Sequence, residues 1–285
     1  MSGRISSNVF VPSPYAGEPS SIAGVLEQSE PGKSTHGRKL ALILHGSGGH
    51  KDYLFFRKLA TTLPMDTFRF DFRGHFESPG IWRQNSLEQD VLDLHVVTEY
   101  LTTYFGYHID LIVAHSRGTI LAVRWLCTTE EGKNVSGFVN VAGRYRIRVN
   151  EDETKEWNES FAAQGYHLLN LKAFKIKVYP EDIDTFANFD GSLVESRFPQ
   201  RTDVLTIHGM LDRTVPVYEA VLYAKTLSKR YPGTHSLHLM ENMDHNCTGR
   251  YDEVVRTIFD WWDGQLKGKL QSGVWKGTED AKGKL

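Results

Sequence analysis

The sequence predicts an α/β fold: a mostly parallel central sheet with helices on both faces and a small helical cap. Three observations predict it. A continuous apolar run at 40–44 and mostly apolar runs at 109–114 and 204–207 have the composition of strands buried on both faces. Helical stretches separate these runs, and strands alternating with helices imply parallel pairing. Small turn residues close two further landmarks, His45-Gly46-Ser47-Gly48-Gly49 after the first run and Arg73-Gly74 after 68–72.

The elements follow in order. Runs at 8–12 and 21–27 flank a Pro/Gly-rich turn, which predicts a hairpin. The strand at 40–44 leads to a helix over about 53–62 and a strand over 68–72. Ser86 with Gln89 three residues later predicts a capping box for a helix that runs to about Tyr104. Then come the strand 109–114, a helix over 119–127 and a strand over 135–142. The rhythm breaks over about 144–200, which is polar and aromatic and carries helical fragments without a buried strand. It resumes with 204–207, a helix over about 217–229, a strand at 236–240 and a last helix over about 250–265. The final twenty residues are rich in Gly and Lys, and their tip is expected to be mobile. The expected organisation is one domain over 1–285 with a cap inserted at about 144–200.

Composition narrows the classes. Of 285 residues 40% are hydrophobic, enough for a substantial core, and a net charge of −2 argues against a nucleic-acid surface. No apolar run approaches the roughly 18 residues of a membrane span. The opening residues lack the apolar segment of a secretory leader, so none is expected. Cys127 and Cys247 form no metal-ligand spacing and fit a cytoplasmic protein. No metal or organic cofactor is expected.

Ala114-His115-Ser116-Arg117-Gly118 lies where a predicted strand meets a helix. A serine in so sharp a turn is lifted from the sheet, with a helix N-terminus beneath it. Small residues two before and two after it permit the turn, although Ala114 stands where glycine is usual. The plain alternative is a helix N-cap serine. Asp212, in Gly209-Met210-Leu211-Asp212-Arg213-Thr214-Val215-Pro216, follows the strand at 204–207 and so sits at the carboxyl edge, where open α/β sheets bind ligands. Its plain alternative is a turn residue. His245 follows the strand at 236–240 and stands apart from the other eleven of twelve histidines by its place at that same edge. The order Ser, Asp, His completes the pattern.

These motifs resemble the α/β-hydrolase superfamily, in particular the capped branch of serine-aminopeptidase-like, cinnamoyl (feruloyl) esterase-like and monoglyceride-lipase-like enzymes. The resemblance rests on His45-Gly46, on Asp71-Phe72-Arg73-Gly74-His75-Phe76-Glu77-Ser78, on the serine turn and on the Asp and His turns. It extends over the chain except the cap. It implies Ser116 as nucleophile, His245 as base and Asp212 as the acid that orients the base. It also implies backbone N–H groups of Ser47 and Arg117 as an oxyanion hole.

A neutral imidazole within reach activates a serine hydroxyl that is otherwise a poor nucleophile, and a carboxylate fixes the imidazole tautomer. The expected activity is hydrolysis of a small-molecule carboxylic ester. A peptidase, a thioesterase and a slow ligand receptor share the same triad. Asp203, Asp190 and Asp244 are weaker acids for the role. His115 is expected to pack sideways from the turn, and His45, His75 and His208 to serve locally. A phosphate-binding reading of 45–49 fails because no Gly-Lys-Ser/Thr follows. Trp157, Phe161, Tyr166, Phe174, Tyr179, Phe186 and Phe189 of the cap are expected mainly to pack it on the core. Arg144, Arg146 and Arg148 are expected to be solvated or paired with the acidic stretch 151–156.

Overall fold

The computed structural model describes residues 3–13, 20–146, 151–170, 175–187 and 192–276. The predicted hairpin forms: β1 (Ile5–Ser13) and β2 (Ser20–Gln28) pair antiparallel, Val9 opposite Gly24. After it the chain alternates β3 (Lys39–Leu44), α1 (Phe56–Thr62), β4 (Asp66–Phe70), α2 (Leu87–Thr103), β5 (His108–His115), α3 (Arg117–Thr128) and β6 (Gly137–Val141). The segment that breaks the rhythm holds α4 (Glu151–Gln164), β7 (His167–Asn170), β8 (Lys175–Val178), α5 (Pro180–Ala187) and α6 (Leu193–Ser196). Then follow β9 (Asp203–Gly209), α7 (Tyr218–Leu227), β10 (His235–Met240), α8 (Tyr251–Leu266) and a short β11 (Gly273–Val274).

One nine-stranded sheet runs in the order β1-β2-β4-β3-β5-β6-β9-β10-β11. Every pairing from β4 to β11 is parallel, and only β1 and β2 run antiparallel to their neighbours. The alternation along β3 explains why its sequence is apolar throughout. Leu40, Leu42 and Leu44 enter one core with residues of α2 and α3, while Ala41 and Ile43 enter the other with residues of α1 and α8. Each fully buried Leu, Ile or Phe contributes about 1.5–3 kcal/mol. Trp261 and Trp262 of α8 are fully covered by the second core.

Local differences from the sequence reading have physical causes. The helix expected from about residue 53 starts at Phe56, because Gly49 N–H bonds to Gly46 O and Tyr53 N–H to His50 O in a tight turn. The strand expected over 68–72 ends at Phe70, because Phe72 N–H donates to His45 Nε2 at 3.0 Å rather than to a strand. The capping box does not form. Ser86 has turn dihedrals, and its Oγ accepts Arg83 N–H at 3.1 Å. The inserted segment contains, besides helices, the antiparallel pair β7–β8 outside the main sheet. Within the last twenty residues, β11 adds to the sheet and Trp275 N–H reaches Leu237 O at 2.7 Å; the tip lies outside the described residues. Among the described residues no helix is long and apolar enough to cross a membrane.

Candidate active site

Ser116 sits between β5 and α3 with φ 53 and ψ −121. For a side-chain-bearing residue this is a strained conformation, of the kind that costs about 1–3 kcal/mol and persists only where surroundings enforce it. The surroundings here are identifiable. Ser116 N–H donates to Val141 O of β6 at 2.9 Å, and Thr119 N–H returns to Ser116 O at 3.0 Å. A Cβ on Gly118 would stand 2.7 Å from His45 O, so only glycine lets α3 lie so close to β3. A Cβ on Gly46 would meet Ser116 Cβ at 2.8 Å, so the loop after β3 lies directly against the serine. Ala114, fully buried, fits where glycine was expected.

The three side chains singled out by sequence come together from three separate loops. Ser116 Oγ–H donates to His245 Nε2 at 2.9 Å, and His245 Nδ1–H donates to Asp212 Oδ2 at 2.8 Å. Asp212 Oδ1 is occupied by the N–H groups of Thr214 and Val215, each at 2.8 Å. Burial alone would raise this carboxyl's pKa. The hydrogen bonds from His208, His245 and the Val215 backbone outweigh it and hold the group well below the usual carboxylate range. Asp212 is therefore a fixed negative charge facing the imidazole. Asp244 is turned to its own loop, accepting Asn246 N–H at 3.1 Å and Thr248 N–H at 2.8 Å.

Supporting groups fix the neighbouring loops. His45 donates from Nδ1 to Gly46 O at 2.8 Å while its Nε2 accepts Phe72 N–H. That fixes its tautomer and joins the loop after β3 to the one after β4. Burial, the largest influence, pushes the His45 pKa well down, so it stays neutral. In the latter loop Asp71 accepts Lys51 N–H at 2.6 Å and Lys51 Nζ at 3.1 Å, and Arg73 pairs with Asp93 at 2.6 Å.

Asp90 and Glu219 were not singled out by sequence, and the contacts of the Arg117, His208 and His115 side chains were not specified by it. The Arg117 side chain, whose direction the sequence left open, is buried and held by Asp90 Oδ2 at 2.6 and 2.8 Å and by Gln84 O at 2.8 Å. Burial pushes Asp90 up to about 6 against the pull of that guanidinium. His208 Nε2 lies 2.9 Å from Val215 O and 3.3 Å from Asp212 Oδ2, supporting the acid from its own strand. Glu219 accepts the N–H groups of Tyr145 and Arg146 at 2.7 and 3.0 Å, tying the exit of β6 to α7. His115 bonds to the backbone of His245. The local role expected of His208 is the one it has, while a partner for Arg117 on another helix left no signal in the sequence.

Arg144 and Arg146 lie at the surface with partners among the described residues, and the side chains of 151–154 lie outside them. Arg144 donates to Thr214 O at 3.0 Å and Arg146 pairs with Glu195 at 3.1 Å, while Arg148 lies outside the described residues. Of the aromatic residues of the inserted segment, Trp157 stacks on His167 with centroids 5.2 Å apart, and Tyr179 lies under Arg83 at 4.7 Å. Phe174 and Phe189 and the side chain of Phe186 lie outside the described residues. Among the described residues no group of three or more His, Cys, Asp or Glu is arranged to hold a metal ion.

With this geometry in place, comparison with known proteins is informative. Residues 35–188, more than half of the chain, match the family described as serine aminopeptidase, S33. The chain belongs to that family. Residues 134–269 also match the prolyl oligopeptidase family. YDL057W, an uncharacterized protein of Saccharomyces cerevisiae, is 31% identical over 239 residues, 74% of this chain and 69% of that one. The α/β hydrolase domain-containing protein 10 from mouse superposes with a TM-score of 0.66 at 16% identity, covering 90% of this chain and 98% of that one. An esterase of Pyrococcus furiosus gives 0.62 at 16% identity, covering 92% and 91%. At such identities the superpositions speak for the fold alone. It is the α/β-hydrolase fold, and this member of the S33 family is a hydrolase by descent.

Proposed function

We propose that the chain is a serine hydrolase that cleaves a small-molecule carboxylic ester through an acyl-enzyme. Ser116 is the nucleophile, His245 the general base and Asp212 the acid that orients it. The reading rests on one observation above all: the unbroken line Ser116 Oγ–His245 Nε2 at 2.9 Å and His245 Nδ1–Asp212 Oδ2 at 2.8 Å, starting from a strained serine. As Ser116 attacks the carbonyl carbon, its proton passes to His245. The fixed charge of Asp212 stabilises the imidazolium that forms. The proton then goes to the leaving alcohol, and water repeats the sequence to release the acid. The N–H groups of Arg117, in the unpaired first turn of α3, and of Ser47, in the loop packed on Ser116, are the donors for the oxyanion. The segment over about 144–200 serves as a cap on a single domain of 1–285, and two buried free thiols suit the cytoplasm.

Amide or peptide cleavage is the second reading, favoured by the family descriptions that match the sequence. A fluorophosphonate probe should label Ser116 alone, and Ser116→Ala should abolish labelling and lower turnover by several decades. Rates on p-nitrophenyl esters of increasing chain length, beside aminoacyl p-nitroanilides, decide between ester and amide. Labelling that survives Ser116→Ala would overturn the assignment.

A further inference from the structure

His115 is the residue before the nucleophile, and its ring is nearly inaccessible to solvent. Its Nε2 lies 2.8 Å from the backbone carbonyl oxygen of His245. A carbonyl can only accept, so Nε2 carries the proton. Burial, with the repulsion of the nearby His245 ring, lowers the His115 pKa to about 3. The ring is therefore neutral near pH 7, and this donor is not lost by titration. The centroids of the two imidazoles are 5.1 Å apart. On the other side, a Cβ added to Gly46 would come within 3.3 Å of His115 Nδ1, so the ring also abuts the loop after β3. Nδ1, the unprotonated nitrogen of that tautomer, has no hydrogen-bond partner among the described residues.

The bonds to Ser116 and Asp212 set the direction of the His245 ring. They act at its two nitrogens and leave the backbone that carries it to be held by other contacts. We propose that His115 is a positioning residue, whose Nε2–H bond to the His245 carbonyl fixes the loop of the base to the nucleophile turn. Residues 115 and 116 then grip the base together, one by its backbone and one by its ring. This rests on the nucleophile–base reading of Ser116 and His245. Misplacing a reacting group by about 1 Å can cost about 100-fold, and that sets the scale of the effect.

The test uses p-nitrophenyl acetate kinetics and the rate of fluorophosphonate labelling. Glutamine can place an N–H near the position of Nε2, whereas asparagine is too short and leucine has no donor. In His115→Leu, kcat and the labelling rate are expected to fall together by about 10- to 100-fold, with KM changed less than about twofold. His115→Gln should restore most of both. In a His245→Ala background, His115→Leu should give no further loss of labelling, because the residue acts through the base. Equal losses in the leucine and glutamine variants, an unchanged kcat in His115→Leu, or the same loss with and without His245 would each overturn the proposal. Should the leucine variant fail to fold, His115→Asn beside His115→Gln makes the same comparison. Wild-type labelling in His245→Ala alone would instead overturn the reading beneath it, and that arm is read separately.

Discussion

The turn around Ser116 and the segment between β6 and β9 are built by opposite rules. At the turn nearly every group is buried and tied: Ser116 N–H to Val141 O, Arg117 to Asp90 and Gln84, Gly118 against the His45 carbonyl. The inserted segment has α4 largely exposed over 155–164 and meets its surroundings through stacked rings and ring–cation pairs such as Trp157–His167 and Lys177–Tyr166, while Leu193, Val194 and Phe198 at its end join the main core. Backbone packing specifies the first region, so a displaced atom there has no alternative place. Side-chain contacts dominate around α4, so that part is expected to tolerate change without moving the sheet. Under the proposed function this contrast assigns chemistry to the turn and its two partner loops and substrate preference to the inserted segment, and each assignment can be tested.

The sharpest break of that contrast is Asp212→Asn. The amide nearly preserves the shape, but it no longer supplies the fixed negative charge, and its N–H₂ group cannot accept from His245 Nδ1–H. Turnover should fall by up to about four decades with folding intact, as loss of tautomer control does in other triads. Steady-state kinetics with circular dichroism measure both. A loss below about tenfold would remove Asp212 from the mechanism.

Gly118→Ala attacks the turn through packing. The added methyl meets His45 O at 2.7 Å and Leu44 O at 2.9 Å, both backbone atoms that cannot swing away. Overpacking of this kind costs about 1–3 kcal/mol of stability. Activity should fall with it, by about 100-fold if the turn shifts by about 1 Å. Denaturant melts and ester kinetics on the same sample test whether the two losses travel together. A destabilised variant with full turnover would show that the turn tolerates more freedom than its contacts imply.

Trp157→Ala probes the other region. Trp157 is half-buried against His167 and remote in sequence from the loops of Ser116, Asp212 and His245. The ratio of rates between short and long acyl esters should change by about 10- to 200-fold at most, the scale of pocket contacts. The rate on the acetyl ester and on the fluorophosphonate should stay within about threefold of wild type. Loss of labelling here would move chemistry into the inserted segment and erase the contrast.

The contrast also explains what could be read from sequence. The buried strands were legible because a parallel strand covered on both faces is mostly apolar, as over 40–44 of β3 and 111–114 of β5. The candidates Ser116, Asp212 and His245 could be singled out because each stands in a turn after the carboxyl end of a strand of the sheet. The β7–β8 pair was not, because a small, largely exposed two-stranded sheet leaves no apolar run. Asp90 was not, because an acidic residue in the first turn of a helix looks like any solvated end, and its buried partner Arg117 comes from another helix. The Ser86 signal failed for a local reason: its hydroxyl closes the preceding turn at Arg83.

The smallest expected effect separates titration of the fold from titration of the site. His235 begins β10, is fully buried, and bonds through Nε2 to Thr206 Oγ1 at 3.0 Å. Burial, with a lesser push from Arg230, lowers its pKa to about 3, whereas in the unfolded chain it titrates near 6.5. Above about pH 6.5 both states hold it neutral, so it adds no pH dependence. As pH falls below that, the unfolded chain takes up a proton that the folded one refuses. Stability then drops by up to about 1.4 kcal/mol per pH unit until the folded pKa is reached. His235→Gln can keep a polar partner for Thr206 and removes this titration. The slope of unfolding free energy between about pH 6 and pH 4 should flatten by about one proton, while the pH profile of hydrolysis of whichever substrate it takes keeps its shape. An unchanged slope would mean that His235 is protonated in the folded protein. A shifted activity profile would mean that the strand carrying it communicates with the loop of His245, and the division between fold and site would have to be redrawn at β10.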